Sequence, residues 1–170
     1  MQICNAFADS SKIGKPGGYV YLIFAPSLSI AYVGQTRSAF GPIGRLAQHI
    51  SNTDSNTFLQ RVKTIFKLDQ TEVEDIYFFA ASLPNEKKFS ESPSEFREAV
   101  EGLVQSILLN LIAEKNPKAV LISRVRLNPY SSSDEIKEIA GLIALEFSEL
   151  LVQTRIKYDS RHPAFSKAVT

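Results

Sequence analysis

Hydrolysis of a phosphodiester needs a base or positioned hydroxide beside phosphorus, fixed cations for the extra negative charge, and a proton or metal ion for the departing oxygen. The first half of this 170-residue chain carries side chains of those types at close spacing. Tyr21 lies in Gly18-Tyr19-Val20-Tyr21-Leu22-Ile23, and Tyr32, eleven residues later, lies in Tyr32-Val33-Gly34-Gln35-Thr36. Arg45 and His49 are four residues apart, so a helix would put both on one face. Glu101, in Val100-Glu101-Gly102-Leu103-Val104, falls at the rim of an apolar stripe.

Each residue alone has a plainer reading. A strand tyrosine usually packs, a helical Arg or His usually faces water, and a lone helical Glu is usually solvated. Gly34 ends a strand, and Asn116 before Pro117 ends a helix. Glu95 and Glu98 are alternatives to Glu101 if the helix register is off by a turn. The joint spacing of the two tyrosines, the arginine and the histidine sets the group apart.

The elements that must position these residues follow from pattern. Tyr19 to Ala25 and Ile30 to Gln35 are apolar, aromatic runs joined by Pro26-Ser27-Leu28-Ser29, which predicts an antiparallel hairpin of buried strands. After Gly41-Pro42, a helix to Ser51 should turn Ile43, Leu46, Ala47 and Ile50 inward and leave Arg45 and His49 on its polar face. Asn56 can cap a second helix carrying Phe58, Leu59, Val62, Ile65 and Phe66, and Ile76 to Ala81 reads as a third buried strand. Ser92 or Ser94 opens a long helix that Asn116-Pro117 closes. Ala119 to Val125 suits a further short strand of undetermined pairing. Ser132 with Glu135 forms a capping box for a last helix, Ile136 to Tyr158, with Leu142, Phe147, Leu150 and Leu151 buried in the core or against a second copy of the chain. The expected fold is α+β: a three-stranded antiparallel sheet flanked by helices, because a hairpin opens the order and no βαβ repeat follows. Residues 1–16 form a flexible lead-in, 17–118 the core, and 119–170 a helical extension.

Composition, at 44% hydrophobic and 22% charged, is that of a globular domain rather than a disordered chain. A net charge of +1 does not advertise a nucleic-acid binder, so local distribution matters more. Nine acids face three bases between Asp69 and Glu101, whereas four bases and no acid lie between Lys115 and Arg126. Arg37, Lys115, Lys118, Arg124 and Arg126 are therefore the candidate nucleic-acid contacts, against the plainer reading of solvated exterior. Cys4 lacks an intrachain partner, and neither a signal peptide nor a membrane span is read, so a reducing cytosol and no membrane association are expected. His162 reads as a tail residue.

The order and spacing of these residues resemble the GIY-YIG endonuclease family over the stretch from Gly18 to Asn116. Tyr32-Val33-Gly34 matches the second tripeptide of that family, and Tyr19-Val20-Tyr21 looks like a variant of the first, with Tyr19 in place of glycine. Arg45-Leu46-Ala47-Gln48-His49 matches the helical arginine with a histidine one turn on. Glu101 looks like the metal-binding glutamate, and Asn116 stands where a supporting asparagine follows it. The stretch from Thr36 to Gly44 is longer than in the shortest members.

The resemblance implies the GIY-YIG fold and metal-dependent hydrolysis of nucleic acid, with DNA the expected substrate. Glu101 would hold one Mg²⁺ or Mn²⁺, Arg45 would contact the scissile phosphate, and Tyr21 would lead as general base. Tyr32 and His49 would position the nucleophile, and Asn116 and Gly34 would support. All five catalytic candidates should then converge on one concave, solvent-reached face. The rival readings are a nucleic-acid-binding or interaction module with weak catalysis, and a toxin or defence nuclease held in check by a partner protein.

Overall fold

The structure, a computed structural model, describes residues 14–51, 57–68, 73, 75–91, 93–115, 119–124 and 126–161. Strands β1 (Tyr19–Ala25) and β2 (Ile30–Thr36) pair as the expected antiparallel hairpin, in register from Tyr19 opposite Thr36 to Ala25 opposite Ile30. Turn hydrogen bonds from Leu28 N to Ala25 O and from Ser29 N to Pro26 O close the link, with Ser29 at φ 53°. All seven residues of β1 are buried, because helices cover both faces of the sheet.

Helices α1 (Gly41–Ile50) and α2 (Thr57–Phe66) follow, then strand β3 (Tyr77–Ser82), the short α3 (Lys87–Ser90) and the long α4 (Glu95–Lys115). Strand β4 (Val120–Leu121), a 3-10 turn (Pro129–Ser132) and α5 (Asp134–Arg161) complete the order. The fold class is α+β, as expected, but the sheet has four strands in the order β3-β1-β2-β4, and β4 runs parallel to β2. The three-stranded antiparallel sheet is thus corrected: Val120 N and Ile122 N donate to Ser29 O and Ala31 O, which adds a short parallel edge. Strand β3 is half-exposed rather than buried, since it pairs with β1 alone and borders solvent on its other side.

Alternation along β1 and β2 divides the interior in two. Val20, Leu22, Phe24, Ala31 and Val33 face α4 and α5. Tyr21, Ile23, Ile30 and Tyr32 face the other way, against Phe58, Leu59 and Val62 of α2. Helix α5 contributes Ile136, Ala140, Ile143, Ala144, Phe147 and Leu151 to the first cluster, so the extension packs on the core. Leu142, expected inside, is 65% exposed, and Leu145 and Ile156 also face outward. The helix has one packed side, and Leu142 falls on the other.

The expected capping box at Ser132 and Glu135 is not formed. Ser132 Oγ donates to Pro129 O, and Glu135 takes a salt bridge from Lys88 Nζ at 2.7 Å. The reciprocal cap belongs instead to Asn128 and Ser131, at the start of the 3-10 turn. No described helix is long and apolar enough to cross a membrane. Cys4, Asn56, Ser92, Asn116, Lys118 and His162, along with the Lys115 side chain, lie outside what is described.

Candidate functional site

Tyr21 and Tyr32 project from the same face of the hairpin as diagonal neighbours, since Tyr21 pairs with Gly34 and Tyr32 with Ile23. Their ring centroids are 6.3 Å apart. A Cβ on Gly34 would run into the Tyr21 ring and hydroxyl, so the glycine is there to admit the tyrosine rather than to end a strand.

Helix α1 meets these rings with its polar side. The sequence pattern assigned Ile43, Ala47 and Ile50 to the core, yet these three are exposed and His49 is fully buried. The reason lies in the two imidazole nitrogens. Nε2 sits 2.7 Å from the Tyr21 hydroxyl, and Nδ1 accepts from the backbone N–H of Phe58 at 3.2 Å. A satisfied imidazole can be interior, and turning it inward carries the apolar stripe outward. Burial, then the charges of Arg45 and Arg61, depress the His49 pKa to about 3, so the ring is neutral. Because a backbone N–H can only donate, Nδ1 bears no proton, and the one on Nε2 is donated to Tyr21.

Arg45 approaches the same oxygen from outside. Its Nε donates to Tyr21 Oη at 3.2 Å, Nη1 to Gln48 Oε1 at 2.8 Å, and Nη2 to Thr57 Oγ1 at 3.4 Å. Among the described residues, three of the five guanidinium N–H groups are engaged, leaving two for a ligand. Tyr21 thus accepts from both His49 and Arg45. Burial, then the neighbouring Tyr32, raises its pKa well above the usual phenol range, against the pull of Arg45. Tyr32 is raised as well, by burial first, and the charge of Arg61 opposes this most strongly.

Glu101 lies on a helix packed on the opposite side of the sheet. Gln105, one turn on, donates from Nε2 to both Glu101 Oε1 at 2.9 Å and Val33 O at 3.2 Å, which ties the carboxylate to the outer edge of β2. There its charge raises both phenols. Burial, followed by repulsion from Glu98, pushes the Glu101 pKa up to about 7, opposed by Arg61, Gln105 and Arg45. Glu98, an alternative in the sequence, is tied to Ser94, and Glu95 is exposed.

Tyr21, Tyr32, Arg45 and His49 therefore come together, but not on a solvent-reached face, since Tyr21 is 1% and Tyr32 5% exposed and Arg45 is half-buried; Glu101, also half-buried, stands on the helix across the sheet and is hydrogen-bonded to Gln105. Two participants escaped sequence reading. Arg61 on α2 lies with its guanidinium carbon 5.2 Å from the Tyr32 ring centre and donates to Ile122 O. Gln105 is the other. The available signal was a cation between Phe58 and Val62, and an amide between Val104 and Leu108, all four of them buried. Among the predicted nucleic-acid contacts, Arg37, Arg124 and Arg126 are exposed.

No protein-family model, no curated protein and no solved structure matches this chain.

Proposed function

We propose that this chain is a metal-dependent endonuclease of the GIY-YIG type, hydrolysing phosphodiester bonds of nucleic acid with DNA as the expected substrate. The observation that carries the reading is the hydrogen-bonded cluster of Tyr21, His49 and Arg45 beside Tyr32, with the charge of Glu101 felt at both phenols.

The residues present suit a hard cation. Glu101 offers a carboxylate, and the buried Oε1 of Gln105 has no hydrogen-bond partner among the described residues. No three Asp, Glu, His or Cys side chains gather among those residues, so one protein carboxylate with water and substrate phosphate would complete the sphere, a pattern common for Mg²⁺. Bound there, Mg²⁺ or Mn²⁺ supplies positive charge to the phosphate oxygens.

The protein's own groups do the rest. Arg45 offers its two remaining N–H groups to a phosphate in fork geometry and stabilises the charge that builds in the transition state. His49, neutral and fixed by Phe58, orients the Tyr21 hydroxyl. Tyr21, once it has given up its own proton and become a phenolate, takes the proton of the attacking water, and Tyr32 positions that water. Gln105 holds Glu101 at the sheet edge.

The test is incubation of the protein with plasmid DNA, single-stranded DNA and RNA in Mg²⁺, Mn²⁺ or EDTA. Cleavage that EDTA stops and that Glu101→Ala abolishes is expected. Absence of cleavage on every substrate in both metals overturns the reading. A second reading, a nucleic-acid-binding module with weak catalysis, draws support from the near-complete burial of the two phenols and His49. Retained binding without turnover would favour it.

A further inference from the structure

Arg97, in the first turn of α4, is 5% exposed and forms no salt bridge among the described residues. Its hydrogen bonds all go to neutral oxygens. Nε donates to Gln35 Oε1 at 3.1 Å, and Nη1 donates to Phe89 O at 3.0 Å and to Glu91 O at 2.7 Å. One side-chain amide and two backbone carbonyls fix the guanidinium without cancelling its charge, because they are dipoles and not anions. The neighbouring carboxylate of Glu98 is tied to Ser94. Nη2 makes no hydrogen bond among the described residues and is not one of the buried atoms left without a partner, so it opens to solvent with two N–H groups to give. A Cβ on Gly18 would run into Phe89 O and crowd the Arg97 stem, so the glycine is what admits this arrangement.

After burial itself, the strongest influence on this cation is a second cation. Arg37 lowers the Arg97 pKa, ahead of Glu98, which acts in the opposite direction. Arg37 is exposed and follows β2, two residues beyond the Gln35 that holds Arg97. Two guanidinium groups that repel each other, one of them desolvated and locked, destabilise the fold unless an anion joins them. Arginine forks suit phosphate in particular, and a guanidinium already fixed by its neighbours loses little freedom on binding. Both arginines belong to the framework of the catalytic cluster: Arg97 is one turn before Glu101 on α4, and Arg37 lies between β2, which carries Tyr32, and α1, which carries Arg45.

Resting on the nuclease reading, we propose that Arg97 and Arg37 form a second phosphate site, which holds a backbone phosphate flanking the one at Arg45 and sets the register of the nucleic-acid strand. Arg97 supplies the fixed half of the site, and Arg37 the half that closes on the ligand. Neither touches the reacting atoms. Contacts of this kind place a strand without reading its sequence.

Two measurements on the metal-free full chain decide this. In the first, inorganic phosphate is titrated into protein carrying isotope-labelled arginine, with sodium chloride at matched ionic strength as the control. The Nε signals of Arg97 and Arg37, assigned with Arg97→Lys and Arg37→Gln, should move along one saturation curve under phosphate and stay still under chloride. Arg37→Gln should weaken the response of Arg97 by roughly tenfold or more, the effect of losing one charged partner. This variant changes an exposed side chain, so the result stands even if the Arg97 variant folds poorly. The second measurement is binding of single-stranded DNA over a salt series, with one phosphate at a time replaced by a neutral methylphosphonate. Arg37→Gln should lower affinity on every sequence and reduce the slope of log K against log salt by about 0.7, the value for one phosphate contact on a single strand. One methylphosphonate position should weaken the parent protein and leave Arg37→Gln little affected. An Arg37→Gln variant with unchanged affinity and slope, or one that couples to no methylphosphonate position, overturns the proposal. Chloride that moves the same signals also overturns it. If Mg²⁺-dependent cleavage proceeds while Arg37→Gln has no effect, the second site falls and the nuclease reading stands. If the coupling is found and no metal supports cleavage, the nuclease reading falls and the phosphate site stands.

Discussion

Gly34 lies directly opposite Tyr21 in the β1–β2 ladder, and the space a Cβ would take at Gly34 is filled by the Tyr21 ring. The glycine of one strand and the phenol of the next are one packing unit. Gly34→Ala should therefore destabilise the protein by about 1–3 kcal/mol, the usual cost of overpacking. Denaturant unfolding measures it. In a Tyr21→Ala background the same substitution should cost much less, and equal costs in both backgrounds would refute the packing relationship.

Arg45 and Glu101 should separate in function. Glu101→Ala is expected to abolish metal-dependent cleavage while nucleic-acid binding largely survives, since only a carboxylate is lost. Arg45→Ala should weaken binding and lower the rate by about 10²- to 10³-fold, because a phosphate contact disappears in both ground and transition states. Single-turnover cleavage and a binding titration in Ca²⁺ separate the two effects. Equal binding losses would place Glu101 among the substrate contacts.

Acid stability should report on His49. Its pKa of about 3 in the fold compares with an ordinary 6.5, so the unfolded chain binds the proton more readily. The resulting stability is complete above pH 6.5 and is lost progressively as pH falls toward 3. At pH 5 the loss is about 2 kcal/mol relative to neutral pH, from a gap of about 1.5 units. Unfolding curves from pH 4 to 8 should show that slope, and His49→Gln should flatten it.

Glu101 acts with the opposite sign. Its carboxyl is raised from 4.5 to about 7 in the fold, so the folded state binds the proton more tightly, and stability from this group falls as pH rises between those values. Glu101→Gln should remove that fall. The same proton competes with a cation, so apparent Mg²⁺ affinity should drop roughly tenfold per pH unit below 7. Calorimetry at pH 6 and 8 checks this, and an unchanged affinity would remove Glu101 as the ligand.

Truncation after Tyr130 removes Ile136, Phe147 and Leu151 from the larger core cluster. Each buried aliphatic or aromatic side chain contributes roughly 1.5–3 kcal/mol, so the shortened chain should lose cooperative unfolding. Thermal melts followed by circular dichroism provide the measurement.

The hairpin was legible because its strands are short, apolar and closely linked, and a diagonal tyrosine pair follows from register alone. Arg45 and His49 were legible as a one-face pair. What was hidden depends on contacts distant in sequence. The inward turn of α1 depends on the Tyr21 hydroxyl and the Phe58 amide, which a count of apolar side chains omits. Arg61 acts through Tyr32 and Ile122, and Gln105 through Val33, each far along the chain. The fourth strand was read within Ala119 to Val125, but its two residues are too few for alternation to settle the pairing.

That brief strand has a further effect. It pairs only with Ile30 and Ala31, and at Val33 the backbone N–H and C=O both turn to the hydroxyl of Ser123. A sheet is ordinarily a partition between two interiors. Here the partition stops short, and a single hydroxyl and a glutamine amide finish its border beside Glu101. Across that border a charge carried by one layer of helices is felt by phenols belonging to the other.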